Sequence, residues 1–159
     1  MTLFNKANGT DPTQAANQDR LTSNVWITRA GSQGLYNAKT ESAFTHFFSP
    51  ADTAWANGTT ANYSTLSYTD WNTWSNGVNP GPPSTVGVNA VLHLVSDDIY
   101  LDIKFTSWSG SSGGGFAYLR STPTLVPEPA AGLLLLAGLA GVAGVRGLKR
   151  RNVEAAVPR

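Results

Sequence analysis

The clearest alternation of hydrophobic and polar positions lies in the second half of the chain. Residues 98–108 alternate with a period of two, which is the pattern of a half-buried antiparallel strand. The side chains expected to face inward are Ile99, Leu101, Ile103 and Phe105. Residues 88–95 and 116–120 are hydrophobic and predict two more strands. We therefore predict a three-stranded antiparallel meander over residues 88–120, which forms the back half of a sandwich.

Strand patterns in the first half of the chain are shorter. Residues 24–29 (NVWITR) predict the first strand, and residues 55–58 and 63–69 predict two others. Residues 40–48 fit either a short helix or a strand. The glycine-rich residues 109–115 predict a flexible connection between strands. They do not predict a phosphate-binding loop, because a strand-like segment follows where a helix N-terminus would be needed.

These elements predict an all-β fold, an antiparallel β-sandwich of jelly-roll-like type, over residues 24–120. Residues 1–23 are polar and rich in turn formers, so we expect an exposed lead-in. Residues 121–125 form a linker to a C-terminal segment of different composition, residues 126–151, which a short tail, residues 152–159, follows. The chain is long enough for one domain and this C-terminal segment.

The C-terminal segment has three parts in a fixed order. A proline-flanked glutamate comes first, an uncharged apolar stretch over residues 130–145 follows, and a basic cluster ends it. The first part is Val126, Pro127, Glu128 and Pro129, and the basic cluster is Arg146, Lys149, Arg150 and Arg151. The apolar stretch is slightly short for a hydrocarbon core of about 30 Å, but its charged flanks favour a transmembrane helix. The prolines favour an extended backbone just outside the membrane.

This order of parts resembles the PEP-CTERM sorting signal of Gram-negative and environmental bacteria. The resemblance implies recognition by an exosortase, a membrane-embedded transpeptidase-like protease, and cleavage near residues 127–129. It also implies an inner-membrane anchor with the ectodomain outside, followed by release to the cell surface or extracellular matrix. Residues 152–159 would be a cytoplasmic tail, and they extend beyond the usual end of such signals. Two alternatives are a plain membrane anchor that nothing cleaves and a buried core helix.

A second resemblance concerns the predicted ectodomain. The pieces NVWITR, YLDIKFTSW and GGGFAYLRS are similar to a domain that recurs in bacterial secreted proteins, often beside such C-terminal signals. The similarity covers about residues 17–121. It implies a β-rich secreted domain and no particular activity.

The composition fits an extracytoplasmic β domain. Charged residues make up 13% of the chain, against about 25% in an average soluble protein. The absence of cysteine excludes disulfides, thiol catalysis and cysteine-ligated metals. Residues 1–125 carry eight acids and six bases, a balance that predicts no nucleic-acid partner.

The predicted extracytoplasmic location of the domain conflicts with the sequence of its N-terminus. The first twenty residues contain no apolar core and no cleavage site of a secretory signal peptide. We expect the true N-terminus to lie upstream of Met1. The alternative is post-translational insertion of the tail, with the domain left in the cytoplasm.

The candidates for catalysis and metal binding are few. His46 and His93 are the two histidines, and no G-x-S-x-G pattern accompanies them. We interpret His93 as a packed or half-exposed strand residue. Asp97 and Asp98 could offer oxygens to Ca²⁺, but their spacing fits no calcium loop and aspartates are common in turns. We therefore predict a protein that is not an enzyme and that needs no metal or cofactor.

Two tryptophans are candidates for sugar binding. Trp71 and Trp74 lie in loop-rich sequence, where exposed aromatic rings could stack on sugars. Aromatic residues also dominate the cores of sandwiches, and we favour that interpretation.

We predict a non-enzymatic surface or matrix protein with exosortase and the inner membrane as partners. The alternative is a carbohydrate-binding module that uses Trp71 and Trp74, with exopolysaccharide as its ligand. A secreted hydrolase, the third hypothesis, requires a carboxylate pair or a serine–histidine pair in a cleft.

Overall fold

The computed structural model describes residues 1–31, 34–110 and 112–122. The strands are β1 (Thr2–Lys6), β2 (Asp19–Arg20), β3 (Trp26–Arg29), β4 (Leu35–Asn37), β5 (Thr53–Asn57), β6 (Ala90–Leu94), β7 (Ile99–Trp108) and β8 (Phe116–Arg120). The helical elements are 3₁₀ turns at Ala15–Asn17, Thr60–Thr65 and Pro82–Thr85, and a π-type turn at Thr73–Val78. The fold of the described residues is therefore all-β.

The predicted sorting signal, residues 126–151, and the predicted tail, residues 152–159, lie outside the described residues. Within the described ranges, no helix has both the length and the apolar character needed to cross a membrane.

The strands form two antiparallel sheets. The larger sheet has the order β1-β8-β7-β6-β5, and the smaller has the order β2-β3-β4. Strands β6, β7 and β8 are neighbours joined in sequence, so the meander predicted over residues 88–120 is confirmed. The order within the larger sheet follows the chain from β5 to β8, with β1 added at the edge. This order differs from the crossed-over order of a jelly roll.

One hydrophobic core receives side chains from both sheets, as in a sandwich. The smaller sheet and its flanks contribute Val25, Ile27 and Leu35, and the larger sheet contributes side chains such as Leu92 and Phe105. The inward face predicted for β7 is confirmed, because Leu101, Ile103 and Phe105 are buried and Ile99 packs against the core. Burial of apolar surface is the main force available to a domain without disulfides.

The outer face of the larger sheet is covered near β6 and β7. The 3₁₀ turn Thr60–Thr65 packs on β7, and Thr60 donates from its backbone N and its hydroxyl to the Asp102 carboxylate at 2.7 and 2.8 Å. This cover helps to explain why Val91, on the outer side of β6, is fully buried. Alternation in the sequence predicts which residues share a face of the sheet. Whether that face is exposed to solvent depends on the turns that cover it.

The N-terminal residues are not an exposed lead-in as predicted. Strand β1 pairs with the edge of β8 in continuous register, from Thr2 opposite Arg120 to Lys6 opposite Phe116. The Phe4 ring lies 5.6 Å from the ring of Phe116, centroid to centroid. The prediction failed because a five-residue strand with one aromatic residue has a weak pattern, whereas its pairing partner lies more than 100 residues away.

Two local predictions in the middle of the chain also differ from the structure. Residues 63–69 do not form a strand, since Thr60–Thr65 is a 3₁₀ turn and only Thr69 forms a bridge, with Trp55. Residues 40–48 form turns and bends, and neither a helix nor a strand.

Candidate functional site

The two tryptophans proposed as a sugar platform are buried. Trp71 and Trp74 each expose 1% of their surface, and their rings lie 4.9 and 5.4 Å from the ring of Trp55. The Trp74 indole N–H donates to Asn57 Oδ1 at 2.8 Å. The exposed platform is therefore wrong, and the core interpretation is confirmed. The loops that carry these residues turn inward because each ring offers a large apolar area to bury.

His93 lies in a surface cluster of aromatic rings. Its imidazole stacks on the Tyr100 ring at 4.1 Å with an interplanar angle of 4°, and Tyr68 contacts both rings. The side chain is 17% exposed, and Nε2 lies 3.4 Å from Asp98 Oδ1. The prediction of a packed, partly exposed strand histidine is confirmed. Burial, with the nearby Tyr100 and Tyr63, raises the pKa of Tyr68 to about 12.

The three aspartates near the β6–β7 turn face different partners. Asp97 accepts hydrogen bonds from the Thr22 hydroxyl at 2.6 Å and the Asn24 amide at 2.8 Å. Asp98 lies beside His93, and Asp102 accepts from Thr60. Within the part of the chain that the structure describes, no group of three or more histidines and acids is positioned to hold a metal ion.

A buried polar network, which no local sequence pattern indicates, lies between the two sheets. Asp19 of β2 accepts a hydrogen bond from the Tyr118 hydroxyl at 2.8 Å. The same carboxylate accepts from Nε and Nη2 of Arg120 at 2.6 and 2.8 Å, in a bidentate pair. Burial first, and then the Asp19 charge, raises the pKa of Tyr118 well above its ordinary value. The network joins β2 of the smaller sheet to β8 of the larger sheet.

The glycine-rich loop is held by two buried cations. Lys6 Nζ donates to the carbonyl oxygens of Thr10 at 2.9 Å and Gly114 at 3.4 Å. Arg29 Nη1 donates to the Gly115 carbonyl at 3.0 Å, and its guanidinium lies 4.1 Å from the centroid of the Trp108 ring. Burial, and secondly the Arg29 charge, lowers the pKa of Lys6. These contacts fix the Gly114 and Gly115 end of the connection between β7 and β8.

A groove lies beside these cations at one end of the larger sheet. Its volume is about 330 Å³, and its walls are the end of β1 with the turn after it, the end of β7, and the start of β8. Its lining includes Asn5, Lys6, Asn8, Ser107, Trp108 and Ser109. We call this feature the β8 groove.

Strand register explains the shape of the β8 groove. Asn5 of β1 and Ser107 of β7 both pair with Ala117, so they share the outer face on either side of β8. Gly115 precedes Ala117 by two positions and adds no side chain to that face. The backbones of β1 and β7, on either side of β8, are two strand spacings apart, which is roughly 9.5 Å. No local pattern indicates this groove, since residues 5, 107 and 117 meet only through strand pairing.

No protein-family model, curated protein or solved structure matches this chain. The residues predicted to form a sorting signal, 126–151, lie outside the described residues.

Proposed function

We propose that this chain is an exported bacterial surface or extracellular-matrix protein, sorted by a PEP-CTERM signal and cleaved by an exosortase. The observation that carries the proposal is the order of three parts: Pro127-Glu128-Pro129, the apolar residues 130–145, and the basic residues 146–151. Prolines keep the first part extended, apolar residues favour insertion of the second, and positive charges hold the third on the cytoplasmic side.

The arrangement of the domain supports this proposal. The compact unit that contains both sheets spans Met1–Pro123, so it ends just before Val126. Strand β8 ends at Arg120, and the backbone N of Ser121 donates to the Asp102 carbonyl at 2.9 Å. All eight described strands therefore lie before the proposed signal. Cleavage after such a boundary would release a domain that retains its core.

In this proposal the β domain is a non-enzymatic cargo that is anchored in the inner membrane by residues 130–145 before its release. Its low charge and its all-β fold support an extracytoplasmic location. The domain would be held at the surface by its own contacts with matrix components, exopolysaccharide among them.

A double-tagged chain tests the proposal. One tag follows a supplied secretory signal peptide, ahead of Met1, and the other follows Arg159. In a host with an exosortase we expect the surface protein to keep the first tag and lose the second. Glu128→Ala should retain both tags, whereas the matched control Glu154→Ala, an acid outside the motif, should be processed normally.

Three outcomes contradict the proposal. One is a surface protein that carries both tags in the exosortase host. Another is equal processing of the chain in a host that lacks exosortase. The last is a chain that stays in the soluble cytosolic fraction despite the supplied signal peptide.

A further inference from the structure

A loop between β4 and β5 carries two exposed phenylalanine side chains. The loop spans residues 38–51, and we call it the Phe47 loop. Phe47 and Phe48 expose 69% and 62% of their surface. Single exposed apolar side chains are ordinary on a protein surface. Two bulky apolar residues that are adjacent in the chain and both exposed instead indicate a contact with a protein or a membrane.

The ends of the Phe47 loop are held together by hydrogen bonds. Asn37 Nδ2 donates to the Ala51 carbonyl oxygen at 3.0 Å. Glu41 Oε2 accepts from the backbone N of Asn37 at 2.7 Å and from that of Ala51 at 2.9 Å. Closely joined ends are the geometry of an Ω-loop, a type of surface loop that is frequently functional.

The tip of the Phe47 loop lies between two inward anchors. Phe44 packs against the hydrophobic core in space left by Gly34, where a Cβ would lie 2.5 Å from the Phe44 ring. On the other side of the tip, Ser49 Oγ accepts a hydrogen bond from the Trp71 backbone N at 2.8 Å. Phe47 has a φ of +72° between these anchors, a left-handed backbone that is unfavourable for a bulky residue. The two anchors therefore hold an exposed tip in a strained conformation, which is a feature of functional sites.

The charges around the Phe47 loop favour a lipid surface. Residues 42–50 contain no acid and no base other than His46. Beside the ends of the loop, the Trp26 ring is partly exposed, and its centroid lies 4.1 Å from the Arg20 guanidinium and 4.9 Å from the Lys39 ammonium. Within the described ranges, neither cation forms an ion pair with a carboxylate.

This set of side chains matches the layers of a membrane surface. Tryptophan is enriched at the level of the lipid headgroups, and basic side chains are attracted to anionic lipids. An uncharged tip with two exposed phenylalanines suits the boundary between headgroups and acyl chains. A second copy of the chain fits less well, because two such loops in contact would bring their cations together.

We propose that the Phe47 loop inserts Phe47 and Phe48 into the interfacial layer of a bilayer that contains anionic phospholipid, with Trp26, Arg20 and Lys39 near the headgroups. The inference rests on the proposed membrane anchor. In the anchored form, residues 121–129 join β8 to the apolar stretch and span at most roughly 30 Å when extended. Such a short tether gives a high effective concentration, so a weak contact suffices, and cleavage would release it.

The test places a single fluorophore in a chain that has no cysteine of its own. Thr45→Cys in the loop and Thr106→Cys on β7, both at exposed positions, are labelled with NBD in separate full-length chains. Each chain is reconstituted into vesicles of phosphatidylcholine with phosphatidylglycerol. We expect nitroxide-labelled phospholipid to quench the fluorophore at residue 45 at least about twofold more than that at residue 106. Aqueous iodide should show the reverse order.

Variants and lipid composition locate the contact. The double variant Phe47→Ser with Phe48→Ser should abolish the excess quenching by lipid at residue 45. Val95→Ser is the matched control, since it removes an apolar side chain that is 49% exposed outside the loop, and it should leave the quenching unchanged. Vesicles of phosphatidylcholine alone should give quenching at least about twofold weaker, because they offer no anionic headgroup to Arg20 and Lys39.

Flotation of the vesicles separates this inference from the sorting proposal. A chain that does not float with the vesicles contradicts both the proposed anchor and the contact that rests on it. A chain that floats, with equal lipid quenching at residues 45 and 106, contradicts only the contact. Unchanged quenching in the double serine variant or in phosphatidylcholine alone also overturns the proposal. So does a fluorophore at residue 45 that is shielded from iodide without lipid quenching, which would indicate a protein partner.

Discussion

At the scale of single residues, side chains that look suited to binding are part of the core. Trp74 lies in a loop-rich stretch, yet its ring is stacked on Trp55 and its indole N–H is bonded to Asn57. Sequence shows that a tryptophan is present, but the direction of its side chain depends on the packing of the loop. Loss of sugar binding by a Trp74 variant would therefore report unfolding.

The first prediction concerns Trp74→Ala. We expect this variant to lose about 3–5 kcal/mol of unfolding free energy, because a fully buried indole leaves a large cavity. Tyr63→Ala, which removes an aromatic side chain that is 46% exposed, should cost much less. Urea unfolding of both variants measures the difference. Equal stability of Trp74→Ala and the unmodified chain would contradict the buried position of this residue.

The second prediction is a pH dependence that arises from Tyr118. Its pKa lies well above the ordinary value of 10.0 because of burial and the Asp19 charge. Above pH 10, the unfolded chain releases this proton while the native state keeps it, so the free energy of unfolding falls as pH rises. The slope from one such group is about 1 kcal/mol per pH unit. Below that range, Tyr118 contributes no slope.

Tyr118→Phe isolates this contribution. The variant should be less stable at neutral pH by about 1–3 kcal/mol, because it removes a buried hydrogen bond to a charged group. Between pH ~8 and ~11 its stability should fall less steeply than that of the unmodified chain. Tyr68, with a pKa raised to about 12, titrates in both chains and cancels in the comparison. Identical slopes would show that Tyr118 ionises normally in the native state.

At the scale of elements, strong local patterns were predictable and long-range partners were not. Strand β7 follows from the alternation of residues 99–105, and its inward face is the predicted one. Strand β1 has a weaker pattern and depends on the edge of β8. The loop after β7 contains many glycines, which suggested flexibility. In the structure Gly113 and Gly114 have positive φ angles, and Lys6 and Arg29 donate to the carbonyl oxygens of Gly114 and Gly115.

The third prediction tests this loop. Gly114 has a φ of +66°, and a Cβ there would lie 2.2 Å from the Ala30 carbonyl oxygen. Gly114→Ala should therefore cost roughly 2 kcal/mol or more in unfolding free energy. Gly110→Ala is the matched control, since a Cβ at Gly110 meets nothing within 4 Å, and it should change stability by less than about 0.5 kcal/mol. Similar melting temperatures for the two variants would show that the loop is not held as described.

At the scale of the whole molecule, the β domain and the proposed sorting signal differ in what their prediction from sequence requires. The all-β class follows from the strand patterns, and the two-sheet arrangement follows from pairings that no short segment specifies. The β8 groove also depends on long-range pairing, because Asn5 and Ser107 come to lie on either side of β8 only by pairing with Ala117. The proposed sorting signal rests on local order, since proline, apolar and basic parts succeed each other within residues 126–151.

The most direct test of this account is the C-terminus of the mature protein. Surface-associated protein from an exosortase-containing host, with a supplied signal peptide, would be isolated and its intact mass and terminal peptide determined by mass spectrometry. We predict a chain that ends at or beside Pro127–Pro129 and lacks residues 130–159. A surface protein that still ends at Arg159 would contradict the central claim.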